Sequence, residues 1–179
     1  MKRNNFKDLY QADIFRYGGQ SGKYVRAFHY YFRKAQTARN PIAQLYYRWR
    51  FRRIKIKHGI ELYYGTKIGK GLYLGHPYNI TVNANAVLGN NVNLSKGITI
   101  GQENRGKRKG SPTIGDNVWI GVNATVVGNI KIGNDVLIAP NSYVNCDIPD
   151  HSVVFGNPCI IKSRDNATEE YITNVVQVE

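Results

Sequence analysis

The chain has 179 residues, 42% of them hydrophobic and 21% charged, which suits one folded domain with its own core and excludes wholesale disorder. No apolar run approaches the roughly 20 residues of a membrane-spanning helix, and the charged opening Met1-Lys2-Arg3-Asn4-Asn5-Phe6-Lys7-Asp8 does not read as a secretory signal. The formal net charge of +13 lies entirely in residues 1–58, where 15 Lys and Arg face only Asp8 and Asp13, while residues 59–179 balance to zero.

Within residues 1–58, the segments Tyr24–Arg39 and Pro41–Lys57 read as two helices parted at Asn40-Pro41, because proline ends one helix and opens another. Tyr24, Phe28, Tyr31, Phe32 and Ala35 share a face at helical spacing, so this face is expected to pack on the end of the domain beyond residue 58 while the arginines stay in water. The competing reading of the basic segment is a peripheral contact with an anionic membrane; no nucleic-acid motif accompanies the charge.

From residue 59 the periodicity changes. Aliphatic residues recur every six positions at Ile114, Ile120, Val126, Ile132, Ile138 and Val144, and earlier at Val82, Leu88, Leu94 and Ile100. Ile68 and Leu74 precede that block, with a slip of two residues between. Gly115, Gly121, Gly133 and Ala139 follow their aliphatics directly, and Val118, Ala124, Ile130, Val136 and Ser142 form a second inward row. A period of six fits neither helix nor alternating strand, but it suits a solenoid of short strands and tight corners. With three faces per coil, residues 18 apart should stack, as Ile114 on Ile132. The fold expected over residues 59–163 is therefore a mainly β, parallel β-helix behind a short helical segment. The repeat breaks at residues 101–112, where Gly, Lys and Arg cannot enter a coil and must bulge out as a loop. Residues 164–179 form a C-terminal tail, whose polar stretch Thr168–Glu179 is expected to be a short, partly frayed helix or strand.

The [Leu/Ile/Val]-Gly-x-x-x-x pattern resembles the hexapeptide-repeat acyltransferases, and that resemblance implies left-handed coils and homotrimers with active sites between subunits. Residues 59–160 most resemble the serine acetyltransferases, through Lys67-Ile68-Gly69-Lys70-Gly71-Leu72, Leu74-Gly75-His76, Ile98-Thr99-Ile100-Gly101, Ile120-Gly121, Gly128-Asn129-Ile130 and Phe155-Gly156-Asn157-Pro158. The implied activity is direct transfer of acetyl from acetyl-CoA to a hydroxyl, with the extruded loop reaching a neighbouring subunit.

Such a reaction needs a base for the hydroxyl proton and donors for the oxyanion, and histidine suits the first task. Of His29, His58, His76 and His151, the resemblance singles out His76 as the base. The family's acidic partner, fifteen residues earlier, corresponds to Glu61. CoA is expected along backbone at Gly121, Val122, Ala139 and Pro140, with Lys162 and Arg164 for its phosphates. Gly75, Asn79 and the loop residues Arg105, Lys107 and Ser111 are the expected acceptor surroundings. No metal is expected: Cys146 and Cys159 lack zinc spacing, and a three-histidine zinc site on facing coils would need more than His76.

The acceptor is where the resemblance breaks. Gly75 stands where the family has an aspartate, Gly110-Ser111-Pro112 where the loop ends Arg-His-Pro, and Glu179 where a terminal isoleucine docks. The expected acceptor is thus a cell-surface saccharide or its precursor, in the cytoplasm or at the inner face of the membrane. Serine O-acetylation for cysteine biosynthesis is the alternative, and a non-catalytic assembly module the reading from another class.

Overall fold

The computed structural model describes residues 5–177; Lys2 and Arg3 of the basic segment and Glu179 of the tail lie outside the described residues. Three helices precede the coils rather than two. α1 (Phe6–Phe15) begins at Asn5, whose side chain accepts from the Asp8 N–H at 3.0 Å and so caps the first turn. Its buried positions, Leu9, Ala12 and Asp13, include a carboxylate, so no clean apolar stripe marks it in the sequence. α2 (Lys23–Thr37) and α3 (Pro41–Ile56) come next, the latter with proline at its first position and Asn40 accepting from the Ile42 and Ala43 N–H groups. Phe28, Phe32 and Ala35 are fully buried as their spacing predicts, and the two phenylalanines join Phe51 of α3 in the main core.

The strands then run in threes: β1 (Glu61–Leu62), β2 (Lys67–Ile68) and β3 (Tyr73–Gly75); β4 (Thr81–Val82), β5 (Val87–Leu88) and β6 (Asn93–Ser95); β7 (Thr99–Gly101), β8 (Thr113–Ile114) and β9 (Val118–Ile120); β10 (Thr125–Val127), β11 (Lys131–Ile132) and β12 (Val136–Ile138). β13 (Tyr143–Val144) and β14 (Ser152–Phe155) continue the winding, and β15 (Ile160–Ser163) turns back antiparallel to β14. Three parallel sheets result: a first face ordered β1-β4-β7-β10-β13, a second ordered β2-β5-β8-β11, and a third ordered β3-β6-β9-β12-β14 with β15 outside it. Ile132 pairs with Ile114, Ile138 with Ile120, and Val144 with Val126, the stacking expected from the repeat. The stacked aliphatics are essentially unexposed, each worth about 1.5–3 kcal/mol of burial.

Coil length departs from 18 residues in three places, the last being the 16 residues from Val136 to Ser152. Thr99 pairs with Thr81 and Tyr143 with Thr125, an 18-residue pitch. Thr81 pairs with Glu61 and Asn93 with Tyr73, so the first coil has 20 residues. Thr125 pairs with Thr99, giving a coil of 26. The excess at residues 101–112 is therefore eight residues. The remaining residues of that stretch close an ordinary corner.

Two of the three corners carry a column of left-handed residues. The His76 corner, between third and first faces, has Gly59, Asn79, Gly97, Asn123 and Asn141; the tail corner, between second and third, has Gly71, Asn91, Asn117, Asp135 and His151. Asparagine and aspartate dominate because their short side chains make φ > 0 tolerable. The loop leaves from the remaining corner, the loop corner, between first and second faces.

The helical segment closes the open end of the β-helix. A first coil has no coil beneath it, so its edge N–H and C=O groups need other partners. Asp13 Oδ1 accepts from the Leu72 N–H at 2.9 Å and the Tyr17 hydroxyl oxygen from the Leu74 N–H at 2.8 Å. The carbonyls are met by donors: Lys55 on Leu62, Gln36 on Thr66, Arg33 on Ile68 and Gly69, Arg16 on Gly71. This corrects the expectation of solvated arginines for Arg16 and Arg33, which are buried because a guanidinium offers five donors to a row of unpaired carbonyls. Arg33 is neutralised by Asp13, to which its Nε and Nη2 donate at 2.7 and 2.9 Å. Among the described residues Arg16 has no such partner, and burial lowers its pKa to about 10.

The tail differs from expectation as well. Residues 165–171 form hydrogen-bonded turns rather than a helix or strand, and the chain then runs back to the first coils. Asp135 accepts from the Ala167 and Thr168 N–H groups, Tyr171 packs edge-on to Trp119, and Asn91 exchanges two hydrogen bonds with Val176.

Candidate active site

The two residues that lengthen the first coil are His76 and Pro77. Gly75 still pairs with Ser95, and the Tyr78 carbonyl still accepts from the Gly97 N–H, so the excess lies between them. His76 therefore stands out from the His76 corner, exposed, at φ 53, a region that costs a non-glycine residue about 1 kcal/mol or more. The two-residue slip in the repeat and the candidate base are thus the same feature.

Below His76 the corner forms a straight line down the β-helix. Gly75, Ser95, Gly121, Ala139 and Phe155 occupy equivalent positions in successive coils, followed by Lys96, Val122, Pro140 and Gly156. With coils about 4.8 Å apart, Gly121 lies about 10 Å and Ala139 about 14 Å from Gly75, a run suited to an extended arm lying along backbone. The four expected CoA positions, Gly121, Val122, Ala139 and Pro140, are therefore brought to one edge with His76. Their amides are partly committed already: Gly121 N–H donates to the Ile138 carbonyl and Ala139 N–H to that of Val154.

The cations sort differently. Lys162 on β15 holds its ammonium 5.7 Å from the Phe155 ring, at the end of this line. Arg164 lies at the other edge of the third face, its N–H donating to the His151 carbonyl at the tail corner, because β15 runs antiparallel and carries it away. Lys96, which sequence reasoning passed over, is exposed in the line between His76 and Val122. The signal existed: Lys96 stands two residues after Leu94, as His76 does after Leu74.

Glu61 lies on β1, exposed on the first face beside Lys55, and no hydrogen bond or ion pair joins it to His76. Burial lowers the Lys55 pKa, an effect that the Glu61 charge opposes. Lys55 and Glu61, with Tyr63, Thr81, Asn83 and Gly101, line a depression of about 490 Å³ running across that face toward the loop corner. Asn79 is a corner residue: its N–H donates to the His58 carbonyl and its side-chain amide covers Gly59.

The loop leaves from a different corner. Glu103 and Gly110 exchange two backbone hydrogen bonds at 3.0 Å, Arg108 reaches Glu103 at 3.2 Å, and Ser111 Oγ donates to Asn83 Oδ1 at 3.0 Å. Arg105 and Lys107 project from its exposed tip. The first face separates all of these from His76, so the chain's own loop and the base are not brought together.

The other histidines have structural partners. His29 is fully buried between Asp13 and Tyr17, and His58 is stacked 3.4 Å from Tyr24, burial lowering its pKa. His151 bonds Asp135 at 2.9 Å, which raises its pKa. Cys146 and Cys159 are free thiols 3.7 Å apart, and among the described residues no group of three His, Cys, Asp or Glu could hold a metal.

Residues 111–146 match the family described as bacterial transferase hexapeptide (six repeats). The chain is 40% identical over 107 residues to a serine acetyltransferase of Staphylococcus aureus, covering 60% of this chain and 50% of the relative. It is 34% identical over 134 residues to serine acetyltransferase 4 of Arabidopsis thaliana, covering 69% and 38%. Among solved structures, soybean serine acetyltransferase superposes with a TM-score of 0.71 at 26% identity, over 88% of this chain and 69% of that one. Isoform 3 from Entamoeba histolytica, in complex with cysteine, gives 0.68 at 27% identity, over 84% and 58%. The chain spans about half the length of the curated relatives it matches.

Proposed function

We propose that this hexapeptide-repeat chain, a relative of the serine acetyltransferases, is an acetyl-CoA-dependent O-acetyltransferase with His76 as general base. The observation that carries the reading is the coincidence at one corner. A two-residue insertion pushes a histidine out at the head of a line of small residues, and the line leads to a lysine. In the reaction, the imidazole takes the acceptor's hydroxyl proton as oxygen attacks the thioester carbonyl. The carbon–sulfur bond then breaks, and the departing thiolate takes that proton, leaving an acetyl ester and free CoA. Glu61, as the acidic partner, would orient the imidazole and stabilise its charged form. A homotrimer fits this reading, because a neighbouring loop could supply what the chain's own loop cannot bring to His76.

The relatives' names favour serine as acceptor over the saccharide expected from the sequence. The saccharide keeps a specific observation behind it: neither Gly75 nor Gly110-Ser111 offers a charge to an amino acid. Free-CoA release from acetyl-CoA over a panel of L-serine, nucleotide sugars and oligosaccharides separates the two. His76→Ala should lower turnover of the active acceptor about 10²–10⁴-fold while acetyl-CoA binding survives; unchanged turnover would overturn the assignment.

A further inference from the structure

α3 has two apolar faces, and the core uses only one. Phe51 points inward, whereas Ile42, Leu45, Tyr46, Trp49 and Ile56 lie on the opposite side at exposures of 79, 65, 50, 51 and 61%. Ile42, Leu45, Tyr46 and Trp49 form a stripe at spacings of three and four, and Ile56 resumes its line seven residues beyond Trp49. Exposed Arg48 and Arg52 edge the stripe on one side and Lys57 on the other, and Arg53 lies within its line, four residues after Trp49. Arg53 lies 5.6 Å over the Trp49 ring. No Asp or Glu occurs from residue 14 to residue 60. Leu45, Trp49 and Ile56 also form one wall of a groove of about 510 Å³ against Ile60, Leu62 and Tyr63.

An apolar stripe bordered by bases on both sides is the pattern of a helix lying in a lipid interface, where the stripe enters the acyl boundary and the bases meet headgroups. The alternatives fit less well. A second copy of the same face would bring at least four bases against four, with Glu61 of the groove the one acid beside them, and a nucleic acid has no use for Ile42, Leu45 and Ile56. We propose that the outer face of α3 is a docking surface for anionic phospholipid bilayers. It would hold the first coil, which comes directly after α3 and carries His76, toward the membrane. The proposal is independent of the acceptor and of catalysis.

The test uses the full chain with vesicles of phosphatidylcholine alone or mixed with phosphatidylglycerol, read by co-sedimentation. In a Trp119→Phe background, the emission of Trp49 reports entry of the stripe into the interface. Binding should require phosphatidylglycerol, weaken with salt, and shift Trp49 emission to the blue. Arg52→Gln and Arg53→Gln should each weaken it about fivefold, from the typical contribution of one surface base. Leu45→Ser should weaken binding without changing the unfolding midpoint, since Leu45 is exposed, and retained turnover in all three variants would separate docking from the active site. Several results would overturn the proposal: no binding to the mixed vesicles, equal binding to neutral ones, or binding with unmoved Trp49 emission. So would loss of a self-associated state or of oligonucleotide binding in these variants without any lipid effect.

Discussion

Replacing Asp13 by Asn removes one charge and almost no volume, from the point where the helices grip the first coil. Asp13 is fully buried and accepts four hydrogen bonds, from Arg33 Nε at 2.7 Å, Arg33 Nη2 at 2.9 Å, His29 Nδ1 at 3.1 Å and the Leu72 N–H at 2.9 Å. Burial by itself raises its pKa, but the Arg33 charge and the bonds from His29 and Arg33 outweigh it and hold the carboxyl below the usual range. With Asn there, Arg33 becomes a buried cation without a counter-charge, and the amide NH₂ turns two donors toward groups that also donate. Removing one partner of a buried pair costs about 3–5 kcal/mol. For a chain of this size that lowers the unfolding midpoint by roughly 6–20 °C. Thermal unfolding followed by circular dichroism measures it, with Asp8→Asn as the exposed control. Because Leu72 leads into β3 and Gly75-His76, amide exchange in the first coil should rise before the later coils respond. A loss below about 1 kcal/mol would refute the view that this carboxylate ties the helices to the β-helix.

The same geometry gives three further expected outcomes. A Cβ at Gly75 would meet its nearest atoms, on Tyr73 and Ser95, at 3.6 and 3.7 Å, ordinary contact, so Gly75→Asp should fold normally. If an ammonium-bearing acceptor is used, kcat/KM for L-serine should rise about tenfold or more, the worth of one charged hydrogen bond; no rise would count against serine. Gly110→Arg should instead disturb the loop, because Gly110 holds φ 133 and a Cβ would press on Asn129 at 3.0 Å; proteolysis within residues 101–112 should quicken. Tail docking should be tightest between about pH 4 and pH 6.5. Burial tends to raise the Asp135 pKa, but bonds from Thr168, His151 and Ala167 lower it overall, so its contribution is present above the ordinary carboxylate value and lost as pH falls through the folded one. The His151 pKa is raised, so its contribution is present below the ordinary histidine value and lost as pH climbs through the folded one. Amide exchange of residues 165–177 against pH checks both limbs, and Asp135→Asn should flatten them.

The β-helix was legible because its signal is local and repeated: one aliphatic every six residues can be buried in only one way, and Ile114, Ile132 and their neighbours stack as the period demands. The slip between Leu74 and Val82 also stood in the sequence, and it marks the place where His76 leaves the coil. Residues 101–112 read as a loop for the same reason, though only strand register shows that eight residues are extra. What the sequence left unsettled depends on partners far along the chain. Arg16 and Arg33 look like surface cations until the unpaired carbonyls of the first coil come within reach, 55 and about 35 residues away. α1 has no periodic stripe because one of its three buried residues is the carboxylate that answers Arg33. Arg164 and Lys162 are neighbours in sequence, yet an antiparallel last strand sends them toward opposite edges of one face. A repeat specifies what each residue does within its own coil; which charges are buried and which corner they reach is decided when the ends of the chain close over it.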